Sequence, residues 1–211
     1  MKMNKKLLTL TSIVILLPIL WGLIIWSQLP NQIPIHFNVG DQADNFQSKP
    51  LVVFGLPIFL LVVHLFVIFV SARDPKNQTM NKKMGKVIYW LTPIVSLSVS
   101  YLIYTKALGS MTNPSIFASA LLGLIFVMMG NYMPKLKVNH TVGIRLPWTL
   151  QSEDNWHKTH RLAGKLWVLG GLILLLEAGI QFAVPYVMGI VILAIVFIPV
   201  VYSYQLSRKN R

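Results

Sequence analysis

Long apolar runs separated by short polar segments dominate the chain. Six runs are each close to the ~20 residues that an α-helix needs to cross a bilayer, and they cover 7–29, 51–72, 87–108, 115–133, 166–183 and 184–204. The runs are continuous rather than alternating, which is typical of helices. In lipid, only helices or closed barrels satisfy their own backbone polar groups. The pattern therefore predicts an all-α membrane protein with six transmembrane helices.

Two boundaries in this pattern are not defined by the apolar runs alone. The last two runs are nearly fused, and we place the break at Val184-Pro185 because a residue before proline avoids helical geometry. One kinked helix would be too long for a single span, so we expect two helices and a tight turn. The first run is longer than the roughly 7–15 residue apolar core of a secretory signal, and no small-x-small cleavage site follows it. We expect it to be retained as a helix.

The first of two polar islands covers residues 29–50. Pro30 and Pro34 favour extended geometry, and a run of Asn, Gly and Asp residues supplies turn chemistry. We predict an ordered, partly extended hairpin that packs on the rim of the bundle through its apolar positions, which are Ile33, Ile35, Phe37 and Phe46.

The second island covers residues 130–171 and is long for a small helical bundle, a property more common in functional loops. Pro134 should end the fourth helix, and Gly143 should be the flexible point of an extended turn. Ser152 is a good N-cap for a short amphipathic helix over 153–164, whose Trp156 and His160 share one face. We predict an elbow that lies at the membrane surface and feeds the fifth helix. A docking surface for a cytoplasmic partner and a catalytic site are the alternatives.

Charge predicts the orientation of the helices. Only 12% of residues are charged and the net charge is +13, against roughly 25% charged residues in a soluble domain. With the N-terminus inside, all 19 Lys and Arg except Lys49 and Lys106 fall on the inner side, a strong positive-inside bias. Six spans then place both termini in the cytoplasm, the first island outside and the second inside. The chain has no cysteine, which excludes disulfides and thiolate chemistry.

These boundaries also predict a domain organisation. It consists of an N-terminal helix pair over 1–72 with an outer loop at 30–50, a middle helix pair over 73–133, a cytoplasmic motif loop over 134–165 and a C-terminal helix pair over 166–211.

The histidines of the second island are candidate metal ligands. Glu153, His157 and His160 follow at i, i+4 and i+7, and His140 lies upstream. The HEXXH order, with glutamate inside the histidine pair, is absent, and the general base that it would provide is therefore missing. We predict no metal and no cofactor.

Two ionisable residues, His64 and Glu177, lie inside predicted spans. Charge within the membrane is costly and is often functional. The pair keeps open a small proton-coupled transporter or permease, while an essential His and Glu set in the inner loop would indicate a membrane enzyme. The opposite interpretation is that neither residue is central: Glu177 reaches water and neutral His64 bonds within the bundle.

Both islands also resemble a known family. The combination GIR-x-PWTL followed by W-x-K-x-HR-x-x-GK is specific, and it resembles the SdpI/YfhL family of bacterial membrane immunity proteins. The matching inner positions are 130–135, 139, 143–145, 147–150, 156, 158, 160–161, 164–165 and 170–171. The outer island resembles the small domain of unknown function that often precedes this family, through Leu29-Pro30, 33–37, Gly40, Asp44 and Ser48-Lys49. Phe37 stands where that domain often has Trp.

The resemblance implies a function. It implies a non-enzymatic immunity protein of the bacterial plasma membrane that confers resistance to a secreted, membrane-active peptide toxin. It also implies a receptor that holds a small DNA-binding autorepressor at the membrane, so that the partners are lipid, toxin and repressor, without direct nucleic-acid binding.

Candidate residues follow from the resemblance. The outer candidates for toxin contact are His36, Phe37 and Asp44. The inner candidates for partner binding are Arg145, Trp148, Trp156, His160, Arg161 and Lys165. The alternative is that these motif residues only fold their loops.

Overall fold

The computed structural model describes residues 3–75, 77 and 82–209, with the side chains of Lys82 and Lys83 left out. Lys2, Lys76 and Arg211, which entered the charge count, lie outside the described residues. Seven α-helices and two strands occur in the described part, in the order α1 Lys5–Ile24, β1 Gln32–Phe37, β2 Ala43–Ser48, α2 Leu56–Arg73, α3 Lys82–Ala107, α4 Pro114–Tyr132, α5 Pro147–Gln151, α6 Glu153–Ile180 and α7 Val184–Lys209. Six helical segments of the described residues are long and apolar enough to cross a membrane, which confirms the predicted architecture.

The helix ends follow from local chemistry. Asn4 caps α1 by accepting the Leu7 N–H at 3.1 Å. Past the other end of α1, the Lys49 Nζ donates to the carbonyls of Trp26 and Leu29 at 3.1 and 2.8 Å. A cation is favourable there because the C-terminal end of a helix carries partial negative charge.

The break between the last two spans is confirmed as a break between two helices. Gln181, at φ 60°, ends α6 in the left-handed conformation, and its N–H donates to the Glu177 carbonyl. α7 begins at Val184, with Pro185 in its first turn, where proline is tolerated. The fifth helix therefore ends at Ile180 rather than at the predicted residue 183, and the break lies at residues 181–183 rather than at the predicted Val184-Pro185.

One compact unit covers Met1–Arg73 and Asn81–Pro114, and a second covers Asp74–Met80 and Ser115–Arg211. The predicted middle helix pair over 73–133 is divided between them. In the first unit α1 packs against α2 and α3. Two buried hydroxyl groups of this unit donate to backbone carbonyls of α1, and such pairing offsets the cost of burying a polar group. The Ser96 hydroxyl donates to the Ile15 carbonyl at 2.9 Å, and the Tyr104 hydroxyl donates to the Pro18 carbonyl at 3.2 Å.

The predicted hairpin in the first island is confirmed. β1 and β2 pair antiparallel, with irregular register around His36. Asn38 shapes the turn, because its Oδ1 accepts the N–H groups of Gly40 and Gln42 at 2.9 and 3.1 Å. Of the four apolar positions expected to pack, Ile33 is fully buried, whereas Ile35 and Phe46 are 37% and 48% exposed.

The predicted short amphipathic helix with an elbow is wrong. α6 runs without interruption from Glu153 to Ile180, so the inner helix and the fifth span are one element. The separate short helix is α5, which precedes it. Ser152 caps α6 as predicted, by accepting the Asn155 N–H at 3.2 Å.

The second unit depends on a close approach between α4 and α6. A methyl group built on Gly171 would lie 2.6 Å from the Gly123 carbonyl oxygen, and one built on Gly130 would lie 2.9 Å from the Gly164 carbonyl oxygen. Gly123 of α4 thus faces Gly171 of α6, and Gly130 of α4 faces Gly164 of α6. The two contacts are seven residues, or about two helical turns, apart. Small residues of this kind let membrane helices pack backbone to backbone.

Gly171→Ala should destabilise the second unit, because its methyl group would overlap the α4 backbone. Overpacking of this kind typically costs about 1–3 kcal/mol. Thermal unfolding of the purified protein in detergent measures the effect.

Gly179→Ala is the matched control, since Gly179 lies in the same helix and has no atom within 4 Å of its built Cβ. Its unfolding temperature should equal or slightly exceed that of the wild type. Equal losses in both variants would contradict the proposed contact.

Candidate functional site

The motif loop, which we define as residues 136–152, is held in shape by a buried asparagine. Asn139 is 2% exposed. Its Oδ1 accepts the N–H groups of Thr141 and Val142 at 2.9 and 2.7 Å, and its Nδ2 donates to the Lys137 carbonyl at 2.9 Å. This arrangement turns the chain directly before the GIR sequence.

A second anchor comes from the connection that follows α2. The Asp74 carboxylate accepts the His140 N–H at 2.8 Å and the Thr141 hydroxyl at 3.4 Å, and the Asn77 Nδ2 donates to the Thr141 hydroxyl oxygen at 2.5 Å. Sequence reasoning missed both residues. A signal was present, because Asp74 is the one acidic residue between Asp44 and Glu153 in the sequence.

At the centre of the loop a buried histidine joins the GIR sequence to α6. The Ile144 N–H donates to the His160 Nε2 at 2.9 Å, and the His160 Nδ1 lies 2.8 Å from the Trp156 carbonyl. Nε2 is thus an acceptor and Nδ1 a donor, which describes a neutral imidazole. The Trp156 ring stacks on this imidazole at 4.0 Å between centroids, and its Nε1 donates to the Leu136 carbonyl at 2.8 Å.

Gly143 is required by this arrangement. Its φ is +113°, a conformation that L side chains rarely adopt, and a Cβ there would overlap the His160 Nε2. The glycine therefore lets the backbone approach the imidazole closely.

The other end of the loop is fixed to α7. The Thr149 hydroxyl accepts the Leu146 N–H at 2.9 Å and donates to the Ile144 carbonyl at 2.8 Å. The Trp148 Nε1 donates to the Ser203 hydroxyl oxygen at 2.9 Å. Since Asn155 also donates to the Ser203 carbonyl at 2.9 Å, the starts of α5 and α6 share one anchor.

The six inner candidates do not form one exposed cluster. Arg145, Arg161 and Lys165 are exposed, and the Arg145 guanidinium donates to the His140 carbonyl at 2.7 Å. Trp148 is half-buried, whereas Trp156 and His160 are 0% exposed. The expectation that Trp156 lies at the membrane surface is therefore wrong, because its ring is in the core of the loop.

The hairpin brings two of its three candidates together. The His36 Nδ1 lies 2.5 Å from the Asp44 Oδ1, and both side chains are largely exposed, at 66% and 43%. Phe37 is half-buried. A histidine and a carboxylate in contact on the surface can bind a polar or charged group of an arriving molecule.

The two intramembrane candidates lie in different units and have local partners. The His64 Nε2 is 2.9 Å from the Thr11 hydroxyl, and its ring meets Tyr89 edge to face. The Glu177 carboxylate accepts the Ala183 N–H and so closes the turn between α6 and α7.

Metal ligation is not favoured by this geometry. Among the described residues, no three His, Cys, Asp or Glu side chains are grouped so that they could hold a metal ion. His160 already uses both ring nitrogens on backbone groups.

His160→Ala should destabilise the protein, because it leaves the Ile144 N–H without its acceptor and opens a cavity against Trp156. Together these effects typically cost roughly 2–4 kcal/mol. Unfolding in detergent measures the loss. His157→Ala is the matched control, since that histidine is exposed on the same helix, and it should change little. A stable His160→Ala protein would contradict the role given to the imidazole.

Comparison with known proteins supports the resemblance seen in the motifs. The sequence profile of the SdpI/YfhL protein family matches residues 135–203, and that of a domain of unknown function, DUF1648, matches residues 13–61. The chain is also 28% identical, over 210 residues, to the immunity protein SdpI of Bacillus subtilis (strain 168), and the match covers 98% of each chain. No solved structure matches. The chain is a multi-pass bacterial membrane protein that resembles the SdpI/YfhL family over residues 135–203.

Proposed function

We propose that this protein is an immunity protein that protects its cell against a secreted, membrane-active peptide toxin. The observation that carries the proposal is the likeness to an immunity protein over 98% of both chains. That match covers both polar islands and all six candidate spans, not the motif loop alone. A shared function is therefore supported for the whole protein.

The charge distribution supports an orientation for this function. With both termini and the motif loop in the cytoplasm, the hairpin lies on the outer side, where a secreted peptide arrives. The hairpin offers an exposed His36–Asp44 pair. Next to this pair it presents apolar side chains, since Val39 is 62% exposed and Phe46 is 48% exposed. This combination suits an amphipathic peptide, whose apolar face needs cover and whose polar groups need partners.

Expression in a sensitive bacterial strain tests immunity directly. Cells carrying the wild-type protein should keep their membrane potential, followed with a potential-sensitive dye, when the purified toxin is added. Cells with the empty vector should lose it. If cells with the protein in their membrane fraction lose membrane potential as fast as cells with the empty vector, the protein does not confer immunity to that toxin.

Hairpin variants then locate the contact. His36→Ala and Asp44→Asn should reduce protection while leaving the fold intact, because exposed ion pairs contribute little to stability. Asn45→Ala, at an exposed position beside Asp44 on the same strand, should protect like the wild type. If His36→Ala and Asp44→Asn protect as fully as Asn45→Ala, the His36–Asp44 pair is not the contact site, and immunity itself still stands.

A second function, as a receptor for a cytoplasmic repressor, is supported by the exposed surface of α6. Arg161 and Lys165 are four residues apart on one face, and both are exposed. A basic surface of this kind complements an acidic patch on a partner and steers its association. Trp156 and His160 are buried and would act only by holding the loop in place.

Double substitution of Arg161 and Lys165 by Gln should release the repressor. The measurement is the membrane-bound fraction of a fluorescent fusion of the repressor, in cells exposed to toxin. Double substitution of Lys135 and Lys137 by Gln removes two exposed charges elsewhere and should leave the fraction unchanged. A repressor that stays in the cytoplasm with the wild-type protein would exclude the receptor role without touching immunity.

We also propose that the protein acts by binding and not by catalysis or transport. The SdpI/YfhL family is not an enzyme family. Of the inner histidines, His160 is buried with both nitrogens in use on backbone groups, and the two intramembrane groups of the transporter alternative each have a structural contact.

A further inference from the structure

A pocket of about 650 Å³ lies between α5 and the end of α7, apart from the buried centre of the motif loop. It is lined by Pro147, Trp148, Gln151, Tyr204, Ser207 and Arg208. The rings of Trp148 and Tyr204 meet edge to face at 5.4 Å between centroids and form the aromatic part of the lining. The other side is polar, so the pocket suits a ligand with both an apolar and a polar part.

The polar side of the pocket selects an anion. Among the described residues, Arg208 is the charged residue of the lining. The Ser207 hydroxyl already donates to the Tyr204 carbonyl at 2.7 Å, so the lining side chains that can donate to a ligand include the Arg208 guanidinium, the Gln151 amide and the Tyr204 hydroxyl. A guanidinium binds phosphate oxygens in pairs, and no carboxylate of the described residues lines the pocket to compete or to hold an ammonium group.

The position of the pocket points to a lipid rather than a soluble anion. Tyr204 ends the apolar run of α7, and Trp and Tyr favour the membrane–water interface. Above Arg208, the residues Phe197, Val201 and Tyr204 follow at helical spacing on the same face of α7, and they are 57%, 51% and 48% exposed. This stripe continues the pocket along α7 and can lie against an acyl chain.

We propose that the pocket binds the phosphate of one anionic phospholipid, with Arg208 as its ligand and an acyl chain along the α7 stripe. The site would be a specific one, distinct from the general attraction of basic residues to anionic lipid. It goes beyond the proposed immunity function, and it is measured without toxin.

Native mass spectrometry of the full-length protein in detergent tests the site. Phosphatidylglycerol should give a one-to-one adduct at lower concentration than phosphatidylcholine, whereas glycerol 3-phosphate, which lacks acyl chains, should bind far more weakly. Arg208→Gln should weaken phosphatidylglycerol binding about tenfold, as expected for the loss of a hydrogen bond to a charged group. Lys209→Gln, the matched control, should stay within about twofold of the wild type.

Three results would overturn the proposal. Equal binding of glycerol 3-phosphate and phosphatidylglycerol would indicate a site for a free phosphate. Equal binding of the two phospholipids would remove the anion selectivity. Equal effects of Arg208→Gln and Lys209→Gln would place the adduct elsewhere. Circular dichroism checks the fold of each variant, and the comparison of ligands on the wild-type protein decides the first two points if a variant fails to fold.

Discussion

The hydrogen bond from the Ile144 N–H to the buried imidazole of His160 is the interaction on which the motif loop depends. It joins an irregular segment to a long helix, and it is possible only because Gly143 adopts a positive φ and lacks a Cβ. The stacked Trp156 excludes water from the imidazole and carries the contact on to the Leu136 carbonyl. In a buried, low-dielectric site each polar group has to be hydrogen-bonded. Gly143, Trp156 and His160 therefore act as a unit, which fixes the positions of the exposed charged residues around them.

The motif contains two kinds of residue, which are buried residues that hold the loop in shape and exposed charged residues. Trp156, His160 and Gly143 specify a shape, while Arg145, Arg161 and Lys165 are what that shape presents to the surroundings. Loss of function after substitution in the first group would therefore report on folding. Only the exposed group can report on recognition by a partner.

Hydrophobic pattern was enough to predict the six helices, because in lipid the length of an apolar run directly limits the structure. Turn chemistry likewise predicted the hairpin and the Ser152 cap. The elbow was predicted wrongly because the amphipathic segment 153–164 was assigned to the membrane surface, whereas Gly164 packs closely against the α4 backbone and the helix continues through it. The isolated acidic Asp74 could have been noticed, but the contacts of Asp74 and Asn77 with the motif loop could not be predicted, since their partners lie more than sixty residues away and no local spacing connects them.

The contacts of the two intramembrane ionisable groups, His64 and Glu177, help to distinguish a protein that binds other molecules from a proton-coupled transporter. A proton path requires titratable groups that exchange partners in succession, with water or another carrier between them. Glu177 instead accepts a backbone N–H at a tight turn, a contact that serves the joint between α6 and α7. His64 meets a threonine hydroxyl and the edge of a tyrosine ring inside the first unit. The Glu177 carboxylate and the Nε2 side of His64 thus have structural contacts, while the buried His64 Nδ1 has no hydrogen-bond partner among the described residues. Other molecules can reach the exposed charges of the hairpin, of α6 and of the end of α7. Exposed charged groups at these places are expected of a protein that works by binding.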